Sequence, residues 1–130
     1  RAVALVEACF SGAGGRSLLA KGARPLLRVK DVSTTTHVAL FSASGASQIS
    51  GPTPDGKAGL FTHTLLDALG NAQADIDGDG SITIEELSQW TTPRVMRAAQ
   101  RQNREQSPSL TLPADAAAAS FTLAYGIGKP

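Results

Sequence analysis

The sequence predicts an α/β fold in which helices cover a sheet. Three observations carry it. Residues 3–6 and 38–41 are apolar runs without polar alternation, the pattern of strands buried on both faces. Phe61, Leu65, Ala68 and Leu69 recur at helical spacing, so residues 59–69 form an amphipathic helix. The order along the chain is strand, short helix, strand, helix, acidic loop, two helices, strand.

Each element has its own signal. After the first strand, Gly12, Gly14 and Gly15 force a turn, because glycine alone takes its backbone angles without strain. Cys9 therefore sits at the carboxyl end of a core strand, where ligands bind in open α/β sheets. Residues 16–22 are a short helix closed by Gly22 and Pro25. Residues 24–31 are a basic connector. The second strand opens into a loop of small residues from Ser42 to Ser47, and residues 50–56 read as an exposed turn. Gly70 and Asn71 end the amphipathic helix. Residues 84–90 are helical, with Leu87 and Trp90 on one side. Thr92 then caps a further helix whose first position is Pro93, and that helix runs to about residue 102. Residues 107–113 are extended. Phe121, Leu123 and Tyr125 alternate with smaller residues, as in a half-buried or edge strand.

Bulk composition narrows the function classes. The 130 residues suit one domain or part of one. A formal net charge of +1 gives no electrostatic pull toward nucleic acid or membranes. No apolar run reaches the length of a membrane span. The single cysteine rules out an internal disulfide and favours a reducing compartment or a reactive thiol. A chain that starts at Arg1, in or just before a strand, reads as a fragment or a processed product.

The run Glu7-Ala8-Cys9-Phe10-Ser11-Gly12 resembles the nucleophile motif of the caspase-like cysteine peptidases, in particular the bacterial metacaspase-like branch. The resemblance continues in family order through residues 41–44, 59–62, 75–86 and 106–108, so it covers nearly the whole chain. It implies a caspase-like three-layer sandwich, of which this chain holds the C-terminal half with about three core strands. The partner is then the upstream half of the same peptidase domain, and the substrate is a peptide or protein. It also implies that Cys9 is the catalytic nucleophile and that its backbone N–H is an oxyanion donor.

A thiol attacks a peptide carbonyl as thiolate, so it needs a base or a positive neighbour. In this family the base is a histidine upstream of the cysteine. His37 and His63 both lie downstream, and a surface or strand-end role is the simpler reading of each. This chain alone is therefore expected to be inactive. Glu7 lies two residues before Cys9, on the same face of the strand. The resemblance puts it in the pocket that selects Arg or Lys before the scissile bond, where the family carries Asp. The competing reading is a structural carboxylate satisfied by backbone N–H groups. Ser42 and Ser44 line the same pocket by resemblance. Arg24, Arg28 and Lys30 fall where the family separates its subunits, and they are either self-cleavage sites or a solvated linker.

The acidic loop is a separate signal. Residues 75–86 fit a calcium-binding EF-hand loop at each diagnostic place. Asp75, Asp77 and Asp79 supply alternate oxygens, and Gly80 makes the sharp turn. Ser81 offers its carbonyl, Thr83 binds directly or through water, and Glu86 closes the shell. Carboxylates this close repel one another unless a cation sits among them. The alternative is a surface Asp/Gly turn.

Weaker signals stay near their plain readings. Arg94, Arg97, Arg101 and Arg104 make one helical stripe, read as a solvated face. Trp90 reads as core. The expectation is a calcium-binding, caspase-like cysteine endopeptidase cutting after Arg or Lys. The alternatives are a catalytically silent calcium-binding scaffold or interaction domain of the same fold, and a small calcium module.

Overall fold

The computed structural model describes residues 2–7, 38–45, 48, 50–113 and 121–125. Its elements are β1 (Ala2–Val6), β2 (Val38–Ser42), α1 (Leu60–Leu69), a 3-10 turn (Ala72–Ala74), β3 (Ser81–Thr83), α2 (Ile84–Arg101), β4 (Ser109–Thr111) and β5 (Thr122–Tyr125). The protein is mixed α/β, with two small sheets and two helices among the described residues.

The first sheet has the order β1-β2-β4. β1 and β2 run parallel, from Ala2 opposite Val38 to Val6 opposite Ser42. β4 joins the other side of β2 antiparallel, with Phe41 opposite Leu110. The middle strand is the best covered, and Ala39 and Phe41 are fully buried. The second sheet pairs β3 with β5 antiparallel. The core joins the two sheets and both helices: Phe41, Phe61, Leu65, Ile82, Ile84, Leu87, Trp90 and Val95 are all buried in it. Phe41 and Phe61 meet edge to face, with ring centroids 4.9 Å apart at 79°.

Buried polar groups tie the loops to this core. Gln106 is 1 % exposed, accepts from the Gly51 N–H at 3.0 Å and donates to the Ala43 carbonyl at 3.0 Å. One amide thus satisfies the loop after β2 and the loop before α1, where unpaired backbone groups would each cost about 1–3 kcal/mol.

Four sequence expectations need correction. β1 is not buried on both faces: Leu5 and Val6 are 42 % and 43 % exposed. Among the described residues it is an edge strand, and of its apolar side chains Val3 reaches the core cluster. An apolar run without alternation cannot tell which of its faces will find cover.

Residues 84–101 form one helix rather than two, with Pro93 inside it. An internal proline costs about 3 kcal/mol through a lost hydrogen bond and a ring clash. The apolar face stays in phase across it: Ile84, Leu87, Thr91, Val95 and Ala99 are all fully buried. Burying both halves on the same core offsets the break.

Arg104 lies beyond the helix and does not extend the arginine stripe. It donates to the Pro52 carbonyl at 3.1 Å and to Gln102 Oε1 at 2.7 Å. Arg94 is also engaged, stacked 3.7 Å over the Trp90 ring. The turn of residues 50–56 is exposed only in part: Pro52 and residues 54–56 are exposed, while Ser50, Gly51 and Thr53 are buried. Its base is held by Thr53 N–H to the Ala58 carbonyl and Leu60 N–H to the Gly51 carbonyl, both 2.8 Å.

Candidate functional site

Two groups of candidate residues occupy two places in this fold. The first is the edge where β1 and β2 end. Parallel pairing makes both strands finish at the same side of the sheet. Val6 lies opposite Ser42, and the Val6 carbonyl accepts the Ala43 N–H at 2.9 Å. Glu7 and the loop from Ser42 to Gly45 therefore meet at one sheet edge. Cys9, His37, Arg24, Arg28 and Lys30 lie outside the described residues.

Glu7 reaches across to α1. That helix has Gly59 at its N-cap and no side-chain cap of its own. Its free N-terminal N–H groups need acceptors, and its dipole favours an anion there. Glu7 Oε2 supplies both: it accepts the Thr62 N–H at 3.0 Å and the Thr62 hydroxyl. A methyl group at position 59 would overlap the carboxylate, so glycine there lets the two approach. Glu7 Oε1 is buried and has no hydrogen-bond partner among the described residues.

The two serine hydroxyls are both engaged with backbone carbonyls. Ser42 Oγ donates to the carbonyls of Ser44 and Ser109, both at 3.3 Å. Ser44 Oγ donates to the Gln48 carbonyl at 3.3 Å. His63 stands on the exposed side of α1. Thr62, Gly59 and Gln106 are the residues of this edge that the sequence reading passed over. Thr62 and Gly59 fall in the run of residues 59–62, but nothing local says that Glu7, 55 positions before Thr62, lies against them.

This geometry makes a direct prediction. Thr62→Val keeps the shape of the side chain and removes the hydroxyl from a part-exposed carboxylate. The expected loss is about 1 kcal/mol of unfolding free energy, near the net value of one hydrogen bond. Glu7→Ala should cost a similar amount or slightly more, as a lost cap does. If urea unfolding of both variants superimposed on the unmodified chain, Glu7 would have no part in holding α1.

The second place is the acidic loop between α1 and α2. Gly78 and Gly80 take φ of 77° and 86°, which lets the chain fold back over its own carboxylates. Asp75 Oδ1 accepts the N–H groups of Gly78 and Asp79 at 2.8 and 3.1 Å, and its Oδ2 accepts that of Gly80 at 2.8 Å. Asp77 Oδ1 accepts the Asp79 N–H at 3.0 Å.

Glu86 closes the loop. Its Oε1 accepts from the Ile76 and Asp77 N–H groups at 3.0 and 3.3 Å. Its Oε2 accepts the Thr83 N–H and hydroxyl, each at 2.9 Å, while Thr83 Oγ1 accepts the Glu86 N–H. This is a capping box, and it starts α2 where the loop ends.

Carboxylate oxygens of Asp75, Asp77 and Glu86 lie within 4.8 Å of one another. Asp79 stands apart from that trio. Its Oδ1 takes the N–H and the hydroxyl of Ser81 at 2.7 and 2.6 Å, and these bonds hold its carboxyl below the usual range. For Glu86, burial pushes the carboxyl up, but the bonds from Thr83, Asp77 and Ile76 outweigh it and leave it lowered. Both acids are thus held in the charged form. Like charges at this spacing repel by roughly 1–3 kcal/mol per pair, between the values for water and a protein surface. The set is all hard oxygen, the donor chemistry of a cation such as calcium.

Comparison of the chain with protein-family models, with curated proteins and with solved structures found no match.

Proposed function

We propose that this chain is the carboxyl-terminal catalytic portion of a caspase-like cysteine endopeptidase, with Cys9 as nucleophile and a calcium-binding loop at residues 75–86. The supporting observation is the shared edge of β1 and β2. The strand that leads into Cys9 ends beside the loop carrying Ser42 and Ser44. The carboxylate of Glu7 stands at the same edge, and its Oε1 meets no donor among the described residues. A substrate guanidinium or ammonium would supply that donor, which fits cleavage after Arg or Lys.

In this reading the Cys9 thiolate adds to the scissile carbonyl, and the Cys9 N–H stabilises the resulting oxyanion. The leaving amine takes its proton from a histidine contributed by the upstream half of the domain, and water then hydrolyses the thioester. Calcium would be held by the oxygens of Asp75, Asp77 and Glu86, with Asp79, Ser81 and Thr83 completing the loop. It would neutralise the loop and stiffen the start of α2.

One observation favours the second reading, a catalytically silent calcium-binding scaffold. The better-partnered oxygen of Glu7 caps a helix, and both serine hydroxyls are spent on loop carbonyls. Activity separates the two. The protein assembled with its upstream half should cleave peptides after Arg or Lys, and Cys9→Ala should remove that cleavage entirely. Cleavage unchanged by Cys9→Ala, or none with any basic peptide, would overturn the peptidase reading.

A further inference from the structure

We infer that cation binding at the 75–86 loop is coupled to the docking of β5, so that calcium tightens the carboxyl-terminal strand and β5 in turn tightens calcium. The inference rests on the calcium reading of that loop. β3 is the shared part. It carries Ser81 and Thr83, two of the positions expected to face the cation. Along its length it pairs with β5, with Ser81 opposite Tyr125 and Ile82 opposite Ala124.

The pairing extends to the start of α2. Ile84, the first residue of α2, donates its N–H to the Phe121 carbonyl at 2.9 Å. That N–H is one of the four a helix leaves free at its start. The same helix start sets Glu86, whose carboxylate joins residues 76, 77 and 83. Phe121, Leu123 and Ala124 also pack against the core cluster beside the fully buried Ile82. Withdrawing β5 would remove the partner of β3, one acceptor from α2 and the contacts of Phe121, Leu123 and Ala124 with the core together. Those contacts hold β3 and the start of α2, which carry Ser81, Thr83 and Glu86.

Linkage makes the effect reciprocal: whatever factor docking contributes to calcium affinity, calcium contributes to docking. The β3–β5 register is irregular between Ile82 and Thr83, and Thr83 is the residue whose N–H and hydroxyl the Glu86 carboxylate accepts, so the cap and the ladder meet at one residue.

Three measurements on the full chain test this. Calorimetry with calcium alone gives the affinity. Hydrogen exchange with calcium and with chelator should show the amides of residues 121–125 slowing about tenfold or more in calcium, within the usual span of coupling factors. The pair Phe121→Gly and Leu123→Gly weakens docking without changing charge, and it should lower calcium affinity by a similar factor while exchange in α1 stays slow. Heat of calcium binding with unchanged exchange at residues 121–125 would overturn the coupling and leave the calcium reading standing. Absence of any binding heat would overturn both. Should the double variant fail to fold, the exchange comparison on the unmodified chain decides alone.

Discussion

Glu86→Ala is expected to abolish calcium binding and to cost about 2–4 kcal/mol of stability even in chelator. Glu86 is 8 % exposed, and its carboxylate accepts from four donors: three backbone N–H groups and one hydroxyl. Loss of the capping box alone is worth about 1 kcal/mol. Leaving the N–H groups of Ile76 and Asp77 without an acceptor adds roughly 0.5–1.5 kcal/mol each, less where water can reach them. Glu86→Gln separates the effects, since it keeps the shape and an acceptor oxygen but loses the charge. It should lose calcium affinity by at least about a hundredfold with under half the stability cost. Urea unfolding in chelator and calorimetry with calcium check both variants. A stability loss below about 0.5 kcal/mol would show that the loop holds its shape without Glu86.

The same residue fixes a pH dependence. The Glu86 carboxyl is lowered in the folded chain from its usual 4.5. The folded state therefore binds its proton less readily than the unfolded state does. Its contribution is fully present above about 4.5 and is lost as pH falls through the lower folded value. Stability of the unmodified chain should drop across that acid window, and the drop should be shallower in Glu86→Gln.

Phe61→Ala should be the most damaging single change in the described core, at about 3–5 kcal/mol. Phe61 is 1 % exposed and joins α1 to the central strand by its edge contact with Phe41. The aromatic geometry contributes about 0.5–1.5 kcal/mol beyond burial. Total stabilities of single domains are about 5–15 kcal/mol, so this variant should lose much of its folded population near physiological temperature. Phe41→Ala should cost a similar amount, and the double variant less than the sum of the two, because the second change removes no edge contact. Thermal melts of the three variants give the cycle. Strict additivity would mean that the rings stabilise the core independently.

Glu7 shows where reading the chain stops. Its position two residues before Cys9 suggests a carboxylate on the substrate side of β1. The helix it caps begins at residue 60, and no local pattern links the two. The three-residue β3 shows the same limit. Its partner is the strand at residues 122–125, not another part of the first sheet. Proline 93 is a third case: local chemistry says stop, and the continuous buried face of α2 overrides it.

The sharp turn of the acidic loop was legible from residue types alone, and Gly80 takes the positive φ that its place after the spaced aspartates calls for. The Thr83–Glu86 cap, which starts α2 at the end of the same loop, was not read from the sequence. The helix at residues 60–69 and the strands at 2–6 and 38–42 were legible because periodicity is local. Tertiary structure alone decided which face of β1 is covered, which helix takes the Glu7 carboxylate and which strand completes β3. Those depend on contacts between residues tens of positions apart, and the free energy of such contacts is set by what lies alongside, not by what comes next in the chain.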